Sequence, residues 1–216
     1  MARRLQGAAG LFKVGLQLFS AEGPQAVRTL AGLGFEIFLD LKFHDIPNTV
    51  AGAVAAAAAL PKVRLINVHT LGGLEMMRAA RDAISGLGRR PALLGVTILT
   101  SMDAPELRRV GISGTPARRA VELARLARRA GLDGVVASGN EALAIRRACG
   151  PKFLIVVPGV RPASADLNDQ VRVTTPTQAI QAGASYLVVG RPITGARDPR
   201  AAALHIAREI AEANRR

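Results

Sequence analysis

The sequence contains very little cysteine and histidine, which limits the chemistry available to its side chains. Cys149 is the single cysteine among 216 residues, so an intrachain disulfide and a cysteine-based metal cluster are both excluded. The three histidines, His44, His69 and His205, are dispersed along the chain, and no metal-ligand spacing links them. We therefore expect no metal site.

Aromatic residues and acidic residues are also scarce. Only 3% of the residues are aromatic, with no tryptophan and Tyr186 as the single tyrosine, so base-stacking platforms for nucleic acid are not expected. The 29 Lys and Arg outnumber the 16 Asp and Glu, giving a formal net charge of +13. That balance suits an anionic partner such as nucleic acid or a phosphorylated substrate. The arginines are scattered and form no block, so we interpret the charge as a solvated basic surface.

No apolar run is long enough to span a bilayer. The longest, Ala51–Leu60, is far shorter than the roughly 20 residues that a spanning helix needs. Lys13 and Gln17 interrupt the apolar residues near the start, so we do not expect a signal peptide. We predict a soluble cytoplasmic protein with no membrane partner.

Short strands that are apolar on both faces alternate with helices along the whole chain, which is typical of a parallel sheet covered by helices. The pattern fits a closed barrel or an open doubly wound sheet. The sequence has no G-x-G-x-x-G after a first strand, which weakens the dinucleotide-binding form of the open sheet. Polar residues follow several predicted strands, at the end where barrel enzymes carry their active sites: Lys42, His69, Ser101, Ser138, Arg161 and Arg191. We therefore predict an α/β protein with a TIM-type barrel, forming one domain over residues 1–216.

The most informative stretch is Phe35–Val50, FEIFLDLKFHDIPNTV. The alternation in its first half predicts a strand, which would place Asp40 and Lys42 on the same face. Asp45 follows in the next loop, and carboxylates this close favour the charged form of a lysine. Such a lysine can donate a proton, although the same pattern also fits a simple ion pair at the end of a strand.

This stretch resembles the signature of the orotidine 5′-phosphate decarboxylase family, D-x-K-x-x-D-I-P-x-T at the end of the third barrel strand. Further stretches resemble that family, and together they span most of the chain. The resemblance begins at the family's second strand, so we count about seven strands and expect the first βα unit to be missing or incomplete. We expect the chain as written to be less stable, and to bind substrate less well, than a version extended upstream.

The resemblance implies a carboxy-lyase that converts orotidine 5′-monophosphate (OMP) to UMP and CO2 in pyrimidine biosynthesis, without a cofactor. Lys42 would protonate the carbanion left at C6, and Asp40 would hold Lys42 and press against the substrate carboxylate. Lys13, in LFKVG, would reach the ribose and Asp40. Asp45 and Thr49 would reach into the neighbouring subunit's site, which implies a homodimer with shared active sites.

The resemblance also implies the remaining substrate contacts. Thr100 and Ser101, in VTILTSM, would recognise the pyrimidine amide edge. Four residues would bind the phosphate. Arg161 and Gln170 follow the strand that is seventh in the family's barrel, and Gly190 and Arg191 follow the strand that is eighth. The chain departs from some members of the family at Ala163 and Asn168, beside the phosphate loop.

Two alternatives remain open at this point. A Mg2+-dependent sugar-phosphate decarboxylase or aldolase of the same barrel superfamily also carries D-x-K-x-x-D, although the I-P-N-T tail and the T-S-M loop favour the pyrimidine enzyme. A basic nucleic-acid-binding protein, from a different class, is suggested only by the net charge of +13.

Overall fold

The computed structural model describes residues 1–161 and 174–215. Seven strands form one parallel sheet, in the spatial order β1-β2-β3-β4-β5-β6-β7. The strands are β1 (Leu11–Gly15), β2 (Glu36–Phe43), β3 (Val63–His69), β4 (Ala92–Val96), β5 (Gly134–Val136), β6 (Leu154–Pro158) and β7 (Tyr186–Val188).

Helices separate the strands. They are α1 (Leu16–Glu22), α2 (Pro24–Gly32), α3 (Pro47–Ala58), α4 (Gly73–Ser85), α5 (Ala104–Arg109), α6 (Pro116–Arg129), α7 (Gly139–Cys149), α8 (Pro176–Gln181), α9 (Arg191–Thr194) and α10 (Pro199–Ala213). Short 3-10 helices occupy Ala2–Leu5 and Thr70–Gly72. None of the helices in the described ranges combines the length and the apolar character needed to cross a membrane.

The order of the strands confirms the predicted fold class. In a doubly wound sheet the order reverses at a switch point, whereas in a TIM-type barrel each strand lies beside the next one in the chain. All seven strands here follow the sequence order. The predicted count of seven is therefore confirmed, and the described residues before β1 contain a 3-10 helix. The prediction of one domain over 1–216 stays a prediction.

The chain forms two compact units, and the first of them comprises Gly10–Val96 and Leu126–Val135. Its core lies around β2, where Ile37 and Leu39 are fully buried and Phe38 almost so. Both faces of this strand are covered, as expected for a strand of a parallel sheet. Helices α3 and α4 pack against each other beside it.

The second unit comprises Met1–Ala9, Thr97–Arg125 and Val136–Arg216. Arg146 on α7 holds several of its loops together by donating to the carbonyl oxygens of Gly150, Phe153 and Gly183 at 2.6–2.8 Å. Hydrogen bonds from a charged donor are stronger than those between neutral groups. Arg146 therefore has a structural role, linking these loops.

Side chains at the starts of the helices determine where several of them begin. Ser138, a polar residue predicted at the end of a strand, caps α7 by accepting the Asn140 N–H. Thr175 and Gln178 form a reciprocal capping box at α8. Helices α1, α5 and α9 were not predicted, because they have only seven, six and four residues and show too little of a helical period.

Candidate active site

The carboxylate of Asp40 lies at the centre of a cluster on β1, β2 and β3. Lys42 Nζ lies 2.6 Å from Asp40 Oδ1, and Lys13 Nζ lies 3.2 Å from Asp40 Oδ2. Asn67 Nδ2 donates to Asp40 Oδ1 at 2.7 Å. The predicted partnership of Asp40, Lys42 and Lys13 is therefore seen in the geometry, with one additional donor. The cluster lies wholly within the first compact unit.

Burial and hydrogen bonding act in opposite directions on Asp40. The residue is 9% exposed, and burial by itself raises the pKa of its carboxyl group. Hydrogen bonds from Lys42 and Asn67 and the positive charges of Lys42 and Lys13 outweigh burial, so the pKa lies below its ordinary value. Asp40 is therefore a carboxylate near neutral pH, fixed in position between two cations.

The backbone is irregular where β2 carries this cluster. Leu39 pairs with Ile66 and Phe43 pairs with Val68, so three residues of β2 lie opposite Asn67 alone. Lys42 adopts a φ of 52°, in the left-handed region that a residue with a side chain seldom adopts. Its N–H donates to Asn67 Oδ1 at 2.8 Å. The bulge therefore lies at the residue that pairs with Asp40, and strand alternation predicts neither the bulge nor the left-handed φ.

Two histidines lie beside the cluster. The His44 and His69 rings stack with their centroids 5.3 Å apart. His69 Nδ1 accepts the Leu71 N–H, so the neutral ring carries its proton on Nε2. Burial, followed by the charges of His44 and Lys42, lowers the pKa of His69 to about 4. His69 is therefore neutral at physiological pH.

Asp45 and Thr49 follow this cluster in the chain, where β2 leads into α3. Both are exposed, Thr49 on the first turns of α3 and Asp45 just before it. Asp45 Oδ1 accepts the N–H of the adjacent Ile46 at 2.6 Å. The carboxylate that contacts Lys42 is therefore Asp40, and the exposure of Asp45 and Thr49 leaves them accessible to another chain.

The other predicted site residues belong to the second compact unit. Thr100 and Ser101 form the middle of a turn closed by the Met102 N–H and the Leu99 carbonyl, which are 3.0 Å apart. Strand β4 ends at Val96, before this turn begins at Leu99.

The predicted phosphate-binding residues follow two neighbouring strands. Arg161 comes three residues after β6 and is buried, and its N–H donates to the Thr174 carbonyl. Gly190 and Arg191 follow β7, which pairs with β6 in parallel, and both are exposed. Gln170, Ala163 and Asn168 lie outside the described residues.

Sequence reasoning missed Asn67 and the pairing of His44 with His69. Asn67 stands inside the apolar run Leu65–Val68, and a polar residue within a buried strand is costly unless it is hydrogen-bonded. That cost is a usable signal for Asn67. The histidine pair has no such signal, because the two rings come from positions 25 residues apart.

Three comparisons place these observations among known proteins. A model of the family described as "Orotidine 5'-phosphate decarboxylase / HUMPS family" matches residues 1–206. The chain is 56% identical to orotidine 5′-phosphate decarboxylase of Geobacter sulfurreducens, over 97% of this chain and 88% of that one. It is 54% identical to the enzyme of that name from Hydrogenovibrio crunogenus, over 92% and 84%.

A solved structure gives the same result. The crystal structure of orotidine 5′-phosphate decarboxylase from Lactobacillus acidophilus superposes with a TM-score of 0.81 at 37% sequence identity. The match covers 96% of this chain and 93% of that one.

The lowered pKa of His69 predicts how stability depends on pH. Its folded-state pKa of about 4 lies below the ordinary 6.5, so between these values the unfolded chain binds a proton that the folded chain does not. Stability is therefore lost as the pH falls through this window. We expect the free energy of unfolding in urea to fall less between pH 7 and pH 5 in His69→Asn, whose Oδ1 replaces Nδ1 as acceptor, than in the wild type.

His205→Asn is the matched control, because His205 is exposed on α10. This variant should keep the pH dependence of the wild type. Equal slopes for the wild type and His69→Asn would contradict the assignment of this proton to His69.

Proposed function

The chain belongs to the orotidine 5′-phosphate decarboxylase / HUMPS family, and from this premise we propose how its residues carry out the reaction. Its relatives named orotidine 5′-phosphate decarboxylase are more than half identical over most of both chains. The chain is accordingly a carboxy-lyase of pyrimidine biosynthesis that converts OMP to UMP and CO2. The observation that carries the proposal for its mechanism is the buried Asp40, held between Lys42 and Lys13.

Lys42 is the proton donor in this proposal. When the bond between C6 and the substrate carboxylate breaks, CO2 leaves and the electron pair stays on C6. An N–H proton of the Lys42 ammonium moves to C6, leaving a neutral amine that solvent reprotonates. The side chain of Lys42 is 30% exposed, so it has access both to a ligand and to water.

Asp40 aims the ammonium of Lys42 and acts on the substrate through its charge. Donors contact both of its oxygens, so its carboxylate is fixed before substrate arrives. A fixed negative charge beside the substrate carboxylate disfavours the bound ground state, and this repulsion ends when neutral CO2 departs. Fixed charges of this kind need little reorganisation during the reaction.

The remaining residues bind the parts of OMP that do not react. In this proposal Lys13 contacts the ribose, and Thr100 and Ser101 contact the amide edge of the pyrimidine. Hydroxyl groups suit that edge because they can both donate and accept.

The phosphate is bound by one group of residues after β6 and β7: Arg161, Gln170, Gly190 and Arg191. The sites that TIM-type barrels use for phosphate commonly follow their last two strands, which supports this assignment. An arginine fork can give two parallel hydrogen bonds to phosphate oxygens. Binding energy from this remote group can then be used for the chemistry at C6.

We further propose that the enzyme is a cytoplasmic homodimer with shared active sites and no nucleic-acid or membrane partner. In this arrangement Asp45 and Thr49 enter the site of the partner. Ile46, between them in sequence, is 67% exposed, more than any other large apolar residue in the described part of the chain. An apolar contact there would suit a twofold interface.

Replacement of Lys42 by alanine tests the proton-donor role. We expect Lys42→Ala to lower kcat by more than about a hundredfold, since general acid catalysis contributes about 10²–10⁴. The assay is the UV change as OMP is converted to UMP. Lys62→Ala is a matched control, because Lys62 also has a left-handed φ, of 57°, but precedes β3 at its amino end.

Both variants place alanine in the same left-handed backbone region. Lys42→Ala should lose more stability than Lys62→Ala, because it also removes a partner of the buried Asp40, and only Lys42→Ala should lose turnover. Activity of Lys42→Ala within about tenfold of the wild type, or about 1.4 kcal/mol of barrier, would exclude this role for Lys42.

Treatment with EDTA separates the proposed reaction from the Mg2+-dependent sugar-phosphate chemistry of the same superfamily. Because Lys42 and Asp40 supply the proton and the charge, we expect the rate of OMP decarboxylation to be unchanged after exhaustive dialysis against EDTA. A loss of turnover that added Mg2+ restores would contradict a cofactor-free mechanism.

Mixing of two inactive variants tests the shared site. If Lys42 and Asp45 of opposite chains meet, a dimer of one Lys42→Ala chain and one Asp45→Ala chain has one intact site and one doubly defective site. With random exchange, half of the dimers are mixed, so the mixture should regain about a quarter of wild-type turnover.

The matched control is a mixture of Lys42→Ala with Asp40→Asn. These two changes lie on the same side of the shared site, so every site in the mixed dimer is defective and no activity should return. Absence of rescue in the first mixture, with exchange of subunits shown by mass spectrometry, would count against shared sites.

A further inference from the structure

Asn67 is a buried amide whose two polar atoms contact two different functional residues. It is 0% exposed on β3, its Nδ2 donates to Asp40 Oδ1 at 2.7 Å, and its Oδ1 accepts the Lys42 N–H at 2.8 Å. We propose that Asn67 is a positioning residue for the decarboxylation, holding the Asp40 carboxylate and the Lys42 backbone together through one rigid amide. This inference deepens the proposed function and rests on it.

The chemistry of the amide suits this role more closely than that of other side chains. One end must donate to a carboxylate and the other must accept from a peptide N–H, and an amide of this length does both without a charge at any working pH. Aspartate has no donor for Asp40 and would bring a second negative charge to 2.7 Å from it. Burial of an amide is costly unless its donor and its acceptor are both hydrogen-bonded. In Asn67 both Nδ2 and Oδ1 are bonded.

The backbone of β2 provides a second, independent argument. Three residues of β2 lie opposite Asn67 alone, so the Lys42 N–H cannot bond to the backbone of β3 in regular register. Asn67 Oδ1 replaces that lost acceptor. The left-handed φ of 52° at Lys42 is unfavourable for a residue with a side chain, and such strain persists only where surrounding contacts enforce it. Asn67 supplies one of those contacts.

The third argument concerns charge during the reaction. Asp40 Oδ1 receives hydrogen bonds from both Lys42 and Asn67. When Lys42 gives its proton to C6 it loses its charge, and its hold on Asp40 weakens. Asn67 cannot transfer its amide proton, so its hydrogen bond to Asp40 is the same before and after this step. The Asp40 carboxylate therefore keeps its orientation while Lys42 changes charge.

Two variants test the proposal by removing different parts of the amide. Asn67→Asp keeps the shape and the acceptor for Lys42 but loses the donor to Asp40. Asn67→Ala loses both. We expect kcat for OMP to fall about tenfold to a hundredfold in each, as misplaced catalytic groups cause, while the Kd for UMP, which lacks the carboxylate, changes less than about threefold.

The pH dependence of kcat/KM distinguishes a positioning role of Asn67 from a purely structural one, because a loss of stability alone would not shift it. Loss of the Asn67 donor removes one of the interactions that keep Asp40 ionised, so the acidic limb of the kcat/KM profile should move to higher pH. The effect should be larger in Asn67→Asp, which adds a second carboxyl group. Thr70→Val is the matched control, because Thr70 is also fully buried and donates one hydrogen bond, to the Val96 carbonyl at 2.7 Å.

The control should lose stability without a change in kcat or in the acidic limb. Equal kcat values and equal pH profiles of kcat/KM for the Asn67 variants and Thr70→Val would overturn the role of Asn67. The proposed function would still stand in that case, provided that the wild type converts OMP. If the wild type fails to convert OMP, the proposed function fails by itself.

Carbon-13 NMR titration of the Asp40 carboxyl group then tests the positioning independently of turnover. The midpoint should be higher in both Asn67 variants than in the wild type and in Thr70→Val. An unchanged midpoint would overturn the inference.

Discussion

The arrangement of β1, β2 and β3 depends on one buried carboxylate. Asp40 is 9% exposed, and an ionised carboxyl group at that depth is strongly disfavoured unless its oxygens are paired. Three neighbouring side chains meet this requirement by pairing with the oxygens of Asp40. Lys13 on the strand before it contacts Oδ2, while Lys42 on the same strand and Asn67 on the strand after it contact Oδ1. Loss of any one partner removes part of the compensation for this buried charge.

The same requirement accounts for the strained backbone at Lys42, the proposed proton donor. In a regular β2 the Cα atoms of Asp40 and Lys42 would lie about 7 Å apart on one face, since alternate residues of a strand are separated by two rises of about 3.3 Å. Here the strand is bulged and Lys42 has a left-handed φ, and the side chains meet with Lys42 Nζ 2.6 Å from Asp40 Oδ1. Conformational strain at Lys42 is thus exchanged for a close ion pair, which accords with the clustering of strained residues at active sites.

Local sequence patterns predicted the elements and the motif better than the contacts between strands. Helix α2, for example, begins at Pro24 and ends at Gly32, and both residues are strong local signals of a helix end. The same holds for Asp40 and Lys42, which are close in sequence. The role of Asn67 and the bulge depend on the register between β2 and β3, which residues far apart in the chain determine together. Asp45, predicted in the loop after Lys42, bonds to the N–H of Ile46 where the chain enters α3, and its contact with a second chain stays a prediction.

The cluster also indicates which of its two lysines is suited to donate the proton. In the part of the chain that the structure describes, Lys13 is the donor at Asp40 Oδ2, so loss of its proton would weaken the contact at that oxygen with no second donor to replace it. Lys42 shares Oδ1 with Asn67, which remains bonded after Lys42 becomes neutral. The shorter contact also favours Lys42, at 2.6 Å against 3.2 Å for Lys13, because it fixes the ammonium more firmly. Transfer of a proton from Lys42 therefore disturbs the buried carboxylate less than transfer from Lys13. This difference accounts for the placement of Asn67, whose amide keeps its proton, beside Lys42 at the same oxygen of Asp40.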